Sequence, residues 1–134
     1  MIQELNLKFN GNINFDFKGG NMSSNGGFFL FKEYLSKINF QPFVKSNFKL
    51  KGDFVLRKHT NDKLILENIY LNVLGYHNQN HADDLRHNLL ASCFNNKSLA
   101  SQPTHSIFID RLDRDSARQL EEINGHILDS YFNN

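Results

Sequence analysis

The segment from Asn61 to Tyr76, NDKLILENIYLNVLGY, restricts the possible folds of this chain more than any other. Leu64, Ile65, Leu66, Ile69, Tyr70, Leu71, Val73 and Leu74 cover most of the circumference of a helix. A helix that is apolar on nearly all sides has to be surrounded by other elements. The spacing therefore predicts a buried central helix over 61–76, capped by Thr60, with Ile69 in the core and Gly75 near a left-handed C-terminal turn. A chain of 134 residues buries roughly two-thirds of its unfolded surface, enough for one compact core without a disulfide or metal staple. Cys93 is the only cysteine, which excludes a disulfide framework and a zinc ribbon. No apolar run approaches the roughly 18 residues of a membrane span, and MIQELNLKFNGN has no signal-peptide core. The reading is a cytoplasmic protein without a membrane partner.

Around that helix the pattern is mainly α. The opening LNLKFNGNINFDFK alternates with period two, Leu5, Leu7 and Phe9 before Asn10-Gly11 and Ile13, Phe15 and Phe17 after it. Asn-Gly suits the positive φ of a type I′ turn, so a β-hairpin is expected over 1–20. Ser23-Ser24-Asn25 offers capping groups to a helix over 26–38 that carries Phe28, Phe31, Leu35 and Ile38 on one face. Pro42 fits the first turn of a short helix with Phe43 and Val44. A polar helix capped by Asn80 is expected over 81–87, another after Ser101 with Pro103 in its first turn, and a last one from Asp115 or Ser116. The helical domain is taken as 21–134.

Three groups of residues carry possible chemistry. Lys45 to Lys58 reads as a loop holding Lys45, Lys49, Lys51, Arg57 and Lys58 against Asp53 alone. Within an overall charge of +1 it is the most basic stretch, suited to phosphates, with Phe48 and Phe54 able to stack or anchor. It equally suits a solvated loop. The short apolar LLASCF, followed by S-Q-P-T-x-S at a helix start, has the form of a helix-turn-helix segment over about 89–112. Its Ser101, Gln102, Thr104 and Ser106 can reach phosphates and base edges, and an ordinary capped helix reads the same way. His77, His81, Asp84 and His87 have helical spacing, but Asn78 stands where a HExxH motif needs glutamate, so solvent-facing histidines account for them better than a metal site.

The stretches SSNGGFFLFKEYLSKI, LENIYLNVLGYHNQNHADDLRHN, LASQPTHSIFIDRLD and QLEEINGHILD, in this order, resemble the N-terminal region of bacterial insertion-sequence transposases of the DDE type. GY-x(4)-HADDLRH followed by LASQPT is the specific part of that resemblance. It implies a helical region, bound to DNA at the element's terminal repeats, ahead of an RNase H-like catalytic domain in which three carboxylates hold divalent metal, Mg²⁺, for strand cleavage and joining. None of this chain's carboxylates matches those catalytic motifs, so the expectation is a fragment lacking the catalytic domain, with no cofactor and no catalytic residue of its own. Where the family reads T-L-S-R-F, this chain has His105 for an apolar residue and Ile107 for an arginine. Restoring both family residues is expected to recover part of the preference for element ends. Arg86 belongs to the matched motif, either to contact DNA or to brace the fold, and Arg111 and Arg114 add flanking charge to the Ser101–Ser106 set. The rival reading is an interaction module that associates with itself or with an intact transposase.

Overall fold

A computed structural model describes residues 4–7, 14–16, 26–52, 58–87 and 99–133. They are mainly helical and fall into two compact units, Met1–Asn39 and Phe40–Asn134.

The first unit holds β1 (Glu4–Asn6), β2 (Asn14–Asp16) and α1 (Gly26–Lys37). The strands pair antiparallel with Leu5 opposite Phe15. An unbulged two-residue turn at Asn10-Gly11 pairs position 9 with 12, which is one residue out of that register; the turn itself lies outside the described residues. A two-stranded ribbon is marginal alone, and the unit runs past residue 20 to include α1. Among the described residues of this unit, Leu7, Phe28 and Leu35 are the buried apolar ones. The helix ends as Ile38 N–H donates to the Tyr34 carbonyl and Asn39 N–H to that of Ser36, with Asn39 at φ 53°. Asparagine tolerates that left-handed position better than most residues.

The second unit contains α2 (Phe40–Asn47), α3 (Asn61–Val73), a 3₁₀ turn (Gln79–His81), α4 (Ala82–His87), α5 (Gln102–Asp110) and α6 (Arg114–Phe132). Helix α3 is the centre, with Leu64, Ile65, Leu66, Tyr70 and Leu71 buried beside Phe40, Val44, Phe108 and Ile123. Burial pushes the Tyr70 hydroxyl up to about 12, and the Glu67 charge adds to the effect. Two polar residues are buried on the same helix. Asp62 accepts from Gln41 Nε2 at 3.0 Å, tying α2 to the first turn of α3, and Glu67 is described below. Ile69, expected in the core, is only half-buried and borders a groove. The helix stops at Val73 rather than 76, because Gly75 at φ +87° turns the chain and Tyr76 N–H closes on the Leu71 carbonyl.

Several caps differ from the sequence reading. Thr60 has the extended backbone of an N-cap, but its hydroxyl makes no capping bond. Asn80 lies inside the 3₁₀ turn rather than capping α4. The last helix begins at Arg114 because Asp113 and Ser116 form a reciprocal capping box, in which Asp113 Oδ1 accepts from Ser116 N at 2.9 Å. Those hydrogen bonds, backbone first, hold the Asp113 carboxyl below its usual range, and Lys51 helps. Among the described residues no helix is long and apolar enough to cross a membrane.

Candidate nucleic-acid interface

The basic stretch is not one loop. Lys45 belongs to the last turn of α2, and Phe48 and Leu50 are buried. Phe48 lies against Phe108, ring centroids 6.3 Å apart, so it anchors the segment and is not available to stack on a base. Alternating burial turns Lys49 and Lys51 outward. Gln119 of α6 fixes the segment from outside: its Oε1 accepts from Lys49 N at 2.6 Å and its Nε2 donates to Lys49 O at 3.1 Å. Lys49 Nζ donates to the Lys45 carbonyl at 3.0 Å. From the end of α5, Arg111 Nη2 donates to the Lys51 carbonyl at 3.2 Å.

These contacts gather Lys45, Lys49, Lys51, Arg111 and the exposed Arg114 at one corner, with Arg118 one turn further along α6. The corner is not uniformly positive. Lys51 Nζ stands 3.9 Å from Asp113 and 3.6 Å from Asp115, both in open solvent where such pairs are weak. Lys58 is exposed beyond a gap in the description. Arg57, Phe54 and Asp53 lie outside the described residues.

The second predicted set sits at the other end of α5, a helix of nine residues and so about 13 Å long. Ser101 occupies the N-cap position with Pro103 in the first turn, as expected, but its hydroxyl pairs with Thr104 Oγ1 at 3.1 Å instead of capping. Gln102 Nε2 donates to Ser106 Oγ at 3.0 Å and to Asn80 Oδ1 at 3.2 Å. The most open positions of α5 are Pro103, Ile107, Ile109 and Asp110, with Ile107 at 62% exposure. The first helix expected for a helix-turn-helix, with Cys93, lies outside the described residues. Arg86 is on α4, which packs beside α5.

Beneath α5 is a group that sequence reasoning missed. His105 is 1% exposed and Glu67 3%. His105 Nε2 lies 3.0 Å from Glu67 Oε2, which also accepts from Ala100 N at 3.0 Å. Asn68 Nδ2 donates to the Leu64 carbonyl at 2.7 Å and stands 3.0 Å from His105 Nδ1. The bond to Leu64 orients the Asn68 amide, so Nδ1 accepts and Nε2 carries the proton to Glu67. The only available signal was a glutamate within the apolar run LILENIYL. A leucine at 105 leaves that carboxyl with the Ala100 amide alone, so restoring the family's apolar residue disturbs the fold as well as the recognition segment.

The histidine-rich stretch closes on itself. His81 Nδ1 meets Asp84 Oδ2 at 3.0 Å, and its ring stacks on Tyr76 at 5.6 Å. Among the described residues no three His, Cys, Asp or Glu side chains converge as metal ligands do. Asp62, Glu67, Asp84 and Asp113 are engaged by different partners: Gln41, His105, His81 and Ser116 respectively. The described carboxylates thus do not fit the divalent metal that the resemblance implies for a catalytic domain.

No curated protein and no solved structure matches the chain. The family described as transposase DDE domain, group 1, does match, over residues 5–134. With nearly its whole length covered by that match, the chain belongs to the group 1 DDE transposase family.

Proposed function

We propose that this chain serves transposition by binding DNA through its phosphates, with little preference of its own for insertion-sequence ends and without itself cleaving or joining strands. The observation that carries the reading is the corner where Gln119 and Arg111 hold the backbone of Lys49 and Lys51. It fixes the segment by its main chain and leaves the lysine ammonium groups of α2 and its extension at the surface. Backbone phosphates are the ligands such a set of cations suits, and they supply most of the salt-dependent affinity of DNA-binding proteins. Base readout is expected to be weak. The side chains best suited to it on α5, Gln102, Ser101 and Thr104, already bond to neighbours.

The test is anisotropy titration of labelled element-end and scrambled duplexes at several salt concentrations. Binding should weaken steeply with salt and differ little between the two duplexes. Each lost phosphate contact lowers the log–log salt slope by about 0.9, so Lys45→Ala with Lys49→Ala should flatten it by roughly two. Absence of binding at low salt, or a slope that the double variant leaves intact, refutes the reading.

A further inference from the structure

The groove that Ile69 borders is a cavity of about 470 Å³ between α3, α5 and α6. Sites for small organic molecules run from about 300 to 1,000 Å³ and are mostly apolar, with a few placed polar groups. The buried Phe40, Ile65, Phe108 and Ile123 form its floor, and the exposed Val73 and Ile109 stand at its lip. Among the described residues that line it there is no Lys, Arg, His, Asp or Glu. A charged ligand would lose its hydration there with nothing to replace it.

The polar groups of the groove are carboxamides, Asn68 and Asn72 from α3 and Asn124 from α6. Asn68 Nδ2 donates to the Leu64 carbonyl at 2.7 Å and meets His105 Nδ1 at 3.0 Å. Asn72 Nδ2 donates to the Asn68 carbonyl at 2.9 Å. Both α3 amides therefore turn their N–H groups back onto the fold, and what each has left is its acceptor oxygen, Oδ1. Asn72 is exposed, so water reaches its oxygen from outside; Asn68 is half-buried. A purely apolar molecule lying over Asn68 takes water from that oxygen and returns nothing, which is unfavourable. A molecule with an N–H or O–H group replaces the water it displaces.

We infer that this groove binds a small uncharged ring compound carrying an N–H or O–H donor, its rings on the apolar floor and its donor on Asn68 Oδ1. Such a ligand touches α3, α5 and α6 together, so its binding stabilises the packing of the three helices. The site does not involve the lysines of the basic corner and does not rest on their role with DNA.

Methyl NMR of the full chain, titrated with indole and with N-methylindole, tests the inference. Indole should move the signals of Ile69, Val73, Ile109 and Leu120. It should bind about fivefold or more tighter than N-methylindole, which has the same rings and no donor. An indole carboxylate, with the donor and a charge, should bind more weakly than indole. Asn68→Ala removes the acceptor and should bring indole and N-methylindole within about twofold of each other. Groove methyls that stay unmoved at saturating indole overturn the inference, as do signals that move only elsewhere. Equal affinity of the wild type for indole and N-methylindole also overturns it, and that comparison needs no variant to fold. So does a folded Asn68→Ala that keeps the wild-type ratio.

Discussion

The two ends of α5 hold polar residues in opposite ways. At the carboxyl end, Gln119 and Arg111 bind main-chain atoms of Lys49 and Lys51, and the lysine side chains stay in solvent. At the amino end, Ser101, Thr104, Gln102 and Ser106 bond one another, above a buried cluster of His105, Glu67 and Asn68. Fixing a segment by its backbone leaves its side chains available to a ligand. Fixing it through its side chains stabilises the fold and leaves little to offer. The contrast makes one end of α5 suited to binding and the other to holding the helix in place.

The largest effect should come from beneath the amino end. His105→Leu takes a hydrogen-bond partner from the buried Glu67 carboxyl, a change that costs about 1–3 kcal/mol. Adding Glu67→Leu should recover a substantial part of the loss, since an apolar pair of similar size removes the stranded carboxylate. Urea denaturation of the two single variants and the double measures this. Additive losses show that the two residues do not act as a pair.

Affinity should separate the ends next. Lys45→Ala should weaken DNA binding several-fold at low salt, Lys51→Ala less, because Asp113 and Asp115 already neutralise part of its charge. Gln102→Ala should stay within about twofold, since it loses bonds internal to the fold. A Gln102→Ala loss larger than that of Lys45→Ala reverses the comparison. Ile107→Arg alone, at an exposed position, is then the clean probe of base preference, free of the damage done at 105.

The smallest effect is in pH. Partial burial holds the His59 imidazole below 6.5, Glu67 opposes the shift, and Lys58 and Lys63 reinforce it. The folded protein therefore takes up that proton less readily than the unfolded chain. Stability should decline as the pH falls below 6.5 towards the lower folded value. His59→Asn should flatten this part of the denaturation-midpoint profile. An unchanged profile assigns the slope to other groups. Asp113 acts with the same sign at more acid pH, below 3.8.

What could be read from the sequence was periodicity. The central helix and Pro103 in a first turn come from local pattern alone, and the α3 and α5 starts match within a residue. Capping was less legible. Whether Thr60 or Ser101 turns its hydroxyl back onto the helix depends on competing partners, and Thr104 took the Ser101 hydroxyl. The site was least legible where partners are distant in sequence. Nothing near Lys49 announces Gln119, nothing near His105 announces Glu67, and nothing near Phe48 shows that it anchors on Phe108 instead of stacking.

The Gln119 amide imitates a rung of β-sheet, meeting both backbone groups of a residue 70 positions earlier. Such a contact has a consequence in time. A ribosome emits the chain from its N-terminus, and domains fold as their parts appear. Lys49 leaves the exit tunnel long before Gln119 does, and closing so long a loop is slow compared with forming local helices. The basic corner is therefore among the last features to take shape. A nascent chain acquires it only once Gln119 has emerged, 70 residues after Lys49, so its hold on nucleic acid begins only after the intervening helices are out.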